Sequence, residues 1–242
     1  MRHTRIYVNQ ALHLKSIIFL DTASSHHVQH VLRLKISDII VVFDGQGHEY
    51  EADIIGDKKQ VQIMIQHVLS SLPVPALHIH LGQAISRGEK MDFTLQKSVE
   101  LGIKEITPLF TERCGVKLSG ERLQAKLQHW QKVVIGACEQ SGRSDVPHIC
   151  PPVSLSTWLE QDFVGSKLLL HPTGAKQLKE IAPPYSPIYL LVGSEGGFSA
   201  SEVLLAQQFG FESIRLGPRI LRTETAALAA ITALQCLWGD MG

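Results

Sequence analysis

Leu190-Leu191-Val192-Gly193-Ser194-Glu195-Gly196-Gly197-Phe198-Ser199 is the stretch whose reading decides the fold. The apolar run Ile188 to Val192 predicts a strand. Ser199 followed three residues later by Glu202 is a capping box, so a helix begins there. Strand, glycine-rich turn and helix form the repeating unit of a parallel sheet with crossover helices. In such sheets ligands sit beyond the carboxyl ends of the strands, which places Gly193 to Gly197 where chemistry is expected. The three glycines let backbone approach a ligand closely. By itself the turn is a weak signal: its spacing is not G-x-G-x-x-G, and Ser194 is outside the G-x-S-x-G frame of a hydrolase nucleophile.

A second turn repeats the design. Ser213 to Leu216 is strand-like, Gly217-Pro218 fixes a bend, and Thr223 precedes Glu224 to Trp238, an excellent helix by propensity. Arg219, Arg222 and Glu224 converge on this short segment. They could pair with one another, but two arginines in an already specialised turn favour a functional reading.

Upstream, strands and helices alternate. Leu77 to Gln83, Ile103 to Phe110 and Lys167 to Leu170 read as strands; Met91 to Leu101, closed by Gly102, and Glu121 to Cys138 read as helices. The long helix ends in Glu139-Gln140-Ser141-Gly142-Arg143, where a helix C-cap accounts for Gly142 better than for Glu139, Gln140 or Arg143. Ser70-Ser71-Leu72-Pro73-Val74-Pro75-Ala76 breaks the pattern with two prolines, and the expected division is residues 1–72 and 73–242.

Before that junction the period is mostly two. Short strands, a single helix over Ser24 to Arg33, and turns at Asp44-Gly45-Gln46-Gly47 and Gly56-Asp57-Lys58-Lys59 predict a small β-barrel of hairpins. His26, His27 and His30 have helical spacing, but no carboxylate or cysteine completes a metal set near them, so no metal is expected. His26, Arg33 and Lys35 are candidate phosphate contacts. Arg5, beside Tyr7, is either surface charge or an RNA contact.

The 242 residues are 44% hydrophobic, enough for a real core, and 23 basic residues balance 23 acidic ones. A nucleic-acid partner would therefore be held by a local patch, not by the global field. No apolar run approaches the roughly 20 residues of a membrane span, and the N-terminus shows no basic-then-apolar leader; a cytoplasmic protein without membrane contact is expected. Cys114, Cys138, Cys150 and Cys236 form no C-x-x-C pair, which signals neither zinc nor redox chemistry.

Together, Ser86-Arg87-Gly88-Glu89-Lys90-Met91, Gln96 to Gly102, Ile106-Thr107-Pro108-Leu109, Glu112-Arg113, Glu139 to Arg143, Gly193 to Ser199 and Leu216 to Ala226 closely resemble the bacterial 16S ribosomal RNA uracil-N3 methyltransferases, which are SPOUT-class enzymes. The likeness runs from Arg5 to the C-terminus with the motifs in order. Where relatives commonly carry proline in the first glycine turn, this chain has Ser194; both suit a turn.

The resemblance implies an α/β fold: a C-terminal SPOUT methyltransferase domain with a trefoil knot, one of the rare exceptions to unknotted topology, behind an N-terminal PUA-like β-barrel that helps to hold RNA. It implies S-adenosylmethionine as cofactor, a homodimer, and 16S rRNA, free or within the 30S subunit, as substrate. Carried onto this chain, the cofactor residues are Leu170, Val192, Gly193, Glu195, Gly196, Gly197, Leu216, Gly217, Ile220, Leu221, Arg222 and Thr225. Glu195 and Glu224 become candidate bases, Arg143 and Arg222 candidate cationic groups, and Arg5, His26, Arg33, Lys35, Arg87, Arg113, Arg143 and Arg219 candidate RNA contacts. A non-catalytic RNA-binding assembly factor and a methyltransferase of the same class acting on tRNA stay open as rivals.

Overall fold

A computed structural model describes residues 4–56, 59–184 and 186–242; of the expected turn at 56–59, Asp57 and Lys58 lie outside the described residues. The chain forms two compact units, Met1–Val74 with Ile135–Val146, and Pro75–Val134 with Pro147–Gly242.

The first unit is a curled five-stranded sheet. Its strands are β1 (Arg5–Tyr7), β2 (Ile17–Phe19), β3 (Ile39–Phe43), β4 (Glu49–Gly56) and β5 (Gln62–Leu69), in the order β1-β3-β4-β5-β2. The middle three are an antiparallel meander, as the hairpin turns predict. Period-two alternation points Ile40, Val42, Ala52, Ile54, Ile63 and Ile65 into one core, which Ile6, Ile18 and Val28 complete. The expected single helix differs: α1 (Thr22–His26) begins earlier, where the Asp21 side chain accepts from the Ser24 amide at 2.7 Å. It then widens into a π-turn over His27–Val31, closed by the Leu32 amide donating to the His27 carbonyl at 2.9 Å.

This unit also holds a buried polar network. The Arg5 guanidinium donates to Glu49 at 2.5 Å, to the Arg143 carbonyl at 3.1 Å and to the Ser144 hydroxyl at 3.0 Å. Arg143 in turn pairs with Asp145 at 2.6 Å, and the Tyr7 amide donates to Glu139 at 3.0 Å. The reading of Arg5 as a surface charge is corrected: its side chain is only 10% exposed, because Glu49 and the loop after the long helix enclose it. Arg143 is likewise buried.

The second unit contains a parallel sheet. Its strands are β6 (Ile79–Ala84), β7 (Glu105–Phe110), β8 (His148–Ile149), β9 (Val153–Ser154), β10 (Ser166–Leu170), β11 (Lys176–Gln177), β12 (Ile188–Val192) and β13 (Glu212–Arg215). The order is β11-β13-β10-β12-β6-β7-β8, with β9 on β7. The two-residue strands β8, β9 and β11 are too short to show a period, so the sequence does not reveal them. The unit's helices are α2 (Glu89–Glu100), α4 (Leu155–Leu159), α5 (Ala200–Gln208) and α6 (Thr223–Trp238), with the part of α3 (Gly120–Ser141) up to Val134. The strand expected from Ile103 starts at Glu105, because the Gly102 and Ile103 amides still close α2 through Val99 and Ser98.

Central strands of a parallel sheet are covered on both faces, and β6 is buried along its whole length. Gly82 in that strand leaves room for Trp158: a Cβ there would meet the indole at 2.7 Å. Trp158, Phe163, Leu169, Leu191, Phe198 and Phe211 share one core. Strand β13 lies on the far side of β10 from β12, yet α6 packs on α2 and against β12. Residues 216–222 therefore return across the carboxyl ends of β10 and β12.

Candidate functional site

A cleft of about 760 Å³ opens at those carboxyl ends, bounded by the loops after β10, β12 and β13. Each loop is held by a specific tie. In the first glycine turn, Gly197 has φ +65, a conformation that favours glycine, and its amide donates to the Ser194 carbonyl at 2.9 Å. The Ser194 hydroxyl donates to the Arg113 carbonyl at 3.2 Å, and Arg113 donates back to the Gly196 carbonyl at 3.0 Å. The expected capping box is present: the Ser199 amide donates to Glu202 at 2.9 Å and the Glu202 amide to Ser199 at 3.1 Å. The other oxygen of the buried Glu202 accepts from the Glu112 amide at 2.8 Å, fixing the loop after β7.

The second turn is stitched to the first. Thr223, the first residue of α6, donates its hydroxyl to the Gly193 carbonyl at 2.5 Å and accepts from the Gln83 side-chain Nε2 at 3.0 Å. The loop after β10 packs on β13: the His171 amide donates to the Ile214 carbonyl at 2.9 Å, and a Cβ on Gly174 would strike the Ile214 backbone at 2.5 Å.

The walls are mainly apolar and main-chain: Leu170, Val192, Leu216, Ile220, Leu221 and Ala226 with the glycine turns. Ile220, at 84% exposure, stands over them as an unusually open apolar side chain. The charged groups are Lys90, Arg113, Arg215, Arg219, Arg222 and Glu195. Glu195 accepts from Lys90 at 3.2 Å and from the Arg87 amide at 3.1 Å. Partial burial alone would raise its pKa, but its own amide, the Arg87 amide and Lys90 outweigh this and hold it below the usual carboxylate value.

The cleft gathers eleven of the twelve residues expected to hold a cofactor; Thr225 is exposed on α6 and does not line it. It also gathers Arg219, Arg113, Arg222 and Glu195. Glu224 is not on the wall, and one of its carboxylate oxygens is buried without a hydrogen-bond partner among the described residues. Arg87 is exposed beside Glu195. Arg143, Arg5, His26, Arg33 and Lys35 belong to the other unit, where the last three are exposed. Sequence reading missed His171, Pro172 and Thr173, although they follow a strand just as Gly193 does, and it missed Thr223, which had the bland look of a helix-start threonine.

Comparison with known proteins agrees with this geometry. A family described as RNA methyltransferase domain matches residues 73–235, and one described as RNA methyltransferase PUA domain matches residues 20–66. Ribosomal RNA small subunit methyltransferase E of Buchnera aphidicola subsp. Acyrthosiphon pisum is 42% identical, over 98% of this chain and 94% of its own. The crystal structure of a protein of that name from Neisseria gonorrhoeae, bound to S-adenosyl methionine, is 39% identical with a TM-score of 0.93 over 100% of both chains. A Legionella pneumophila protein in complex with the cofactor SAM is 40% identical with a TM-score of 0.96, over 99% of this chain and 100% of its own. With these relatives aligned along nearly the whole chain and the cleft at the ends of its parallel strands, the protein belongs to the ribosomal RNA small subunit methyltransferase E family.

Proposed function

We propose that the protein transfers a methyl group from S-adenosylmethionine to N3 of a uridine in 16S ribosomal RNA. The observation that carries the reading is the cleft itself, whose two glycine turns are joined by Thr223 and whose walls combine apolar side chains with exposed main chain. That donor set suits the cofactor: Leu170, Val192, Leu216, Ile220 and Leu221 offer an apolar slot for an adenine, and the backbone at Gly193 to Gly197 and at Leu216 and Gly217 offers hydrogen bonds to its polar edges. Bound there, S-adenosylmethionine supplies a methyl on a sulfonium, already a good electrophile.

The protein's task is then alignment, and correct placement alone is worth about 7 to 11 kcal/mol in favourable cases. Arg222 lines the cleft with its side chain exposed, able to stabilise negative charge developing on O2 or O4 of a uracil as its N3 proton leaves. Glu195 is the carboxylate of the cleft, but its ties to Lys90 and Arg87 make it a weak base and a good anchor for the loop Arg87–Lys90. The main chain on either side of β13 would complete a trefoil knot, an interpretation supported by the return of residues 216–222 across β10 and β12. In the first unit, exposed His26, Arg33 and Lys35 offer cationic contacts for RNA phosphate. Exposed Leu237 near the end of α6 and Met241 just beyond it fit a homodimer. Among the described residues, no helix is long and apolar enough to cross a membrane.

The deciding experiment incubates the protein with labelled S-adenosylmethionine and either 16S rRNA or tRNA, digests the RNA and identifies the labelled nucleoside. N3-methyluridine in 16S rRNA is expected. Label in tRNA or on a ribose, or none despite cofactor binding, would overturn the reading.

A further inference from the structure

At the amino ends of β6, β7 and β8, away from the cleft, one face of the sheet carries polar groups where a covered parallel sheet usually carries Val, Ile and Leu. His80 pairs with Glu105, and Glu105 with His148, so all three project from the same face. Thr107, two residues along β7, and Cys150, just past β8, follow on that face.

His80 is 5% exposed, with its ring against Trp158 and Tyr189. Its Nε2 lies 2.7 Å from the Thr107 hydroxyl oxygen. With Nε2 taken up by Thr107, Nδ1 is the ring nitrogen that faces Glu105. Nδ1 lies 3.6 Å from a Glu105 carboxylate oxygen, beyond ordinary hydrogen-bond distance. The other Glu105 oxygen takes the Cys150 thiol at 2.9 Å. A ring nitrogen, a carboxylate oxygen and a thiol sulfur thus converge on one point of the sheet.

We propose that His80 Nδ1, a Glu105 oxygen and Cys150 Sγ bind a zinc-class divalent ion that staples β6, β7 and β8 together. The three ligand atoms lie within 4.8 Å of one another, and the separation of Nδ1 from the carboxylate is 3.6 Å. Tetrahedral zinc with ordinary bond lengths needs ligand separations of roughly 3.3 to 3.6 Å, so side-chain adjustments of about 1 Å or less complete the set. Nitrogen, oxygen and sulfur together favour zinc or cobalt over magnesium or calcium. On binding, the Cys150 thiol gives up its proton to solvent and becomes the thiolate ligand; no electron changes hands. With Nδ1 on the metal, Nε2–H would donate to the Thr107 hydroxyl 2.7 Å away and hold the ring in its orientation. The fourth position falls to water.

The test titrates the chelator-stripped, full-length protein with Co²⁺ and follows absorption, then displaces the cobalt with Zn²⁺. One equivalent and a thiolate-to-cobalt charge-transfer band in the near ultraviolet are expected. The band should vanish in Cys150→Ser, and Thr107→Val should weaken binding by about 10- to 100-fold. In parallel, Zn²⁺ should protect Cys150 of the unaltered protein from alkylation while the exposed Cys236 stays reactive. No charge-transfer band, equal alkylation of Cys150 with and without zinc, or undiminished uptake by Cys150→Ser would overturn the proposal. The last result would place the metal on others of the chain's 12 histidines.

Discussion

The Thr223 hydroxyl donates to the Gly193 carbonyl at 2.5 Å, joining residues 30 positions apart in sequence. With the Gln83 side-chain amide donating to the Thr223 hydroxyl oxygen, one side chain ties the first turn of α6 to the glycine loop after β12 and to β6. Thr223 is buried, so Thr223→Val keeps the shape and leaves a carbonyl and an amide without their partner. A loss of about 1 to 3 kcal/mol in stability is expected. Cofactor affinity should fall as well, because both turns of the cleft lose their common anchor. Denaturant unfolding and calorimetric titration with S-adenosylmethionine measure the two effects.

Arg222 and Glu195 separate by pH. Arg222→Ala should lower the single-turnover methylation rate at saturating cofactor by about 10² to 10³-fold, the usual cost of one electrostatic contact to developing charge. Glu195 is ionised throughout the neutral range because its pKa lies below the ordinary carboxylate value. Glu195→Gln should therefore slow the reaction by a similar factor at every pH from about 6 to 9 and leave the shape of the pH profile unchanged. A profile that loses a limb in Glu195→Gln would instead make it the proton acceptor.

Glu139 sets a pH dependence of stability in the first unit. Burial raises its pKa, against the Tyr7 amide and the neighbouring His27 and Arg5. The folded state thus holds the proton more tightly than the unfolded chain. The stabilisation is complete below the usual carboxylate value and is lost as pH rises through the raised one. Urea unfolding across that acidic window should show stability falling with pH, and Glu139→Gln should flatten the slope.

Gly82→Ala probes the sheet's contact with Trp158. The added methyl would sit 2.7 Å from the indole, which is fully buried and held by Phe163 and Phe211. Overpacking of this kind costs about 1 to 3 kcal/mol. Thermal unfolding should show the loss, and near-ultraviolet circular dichroism a shifted Trp158 environment.

The sequence by itself determined the elements that declare themselves locally. Ser199 and Glu202 form the capping box that their spacing announces, Gly102 ends α2, and the alternation in β3, β4 and β5 gives the curled sheet, because capping, turn chemistry and period depend on near neighbours along the chain. The glycine turns were legible as the rim of a cleft for the same reason: a strand that ends in glycines and runs into a helix marks the carboxyl edge of a parallel sheet. Other features are decided only in three dimensions. Arg5 and Arg143 read as cationic contacts, yet Glu49 and Asp145 bury them, and no local pattern joins position 5 to position 49. Thr223 looks like any residue at a helix start until the return of the chain across β10 and β12 brings it to Gly193. His80, Glu105 and Cys150 are scattered over three segments, and their meeting depends on strand register, which is set by the whole sheet's packing and not by any one stretch of chain.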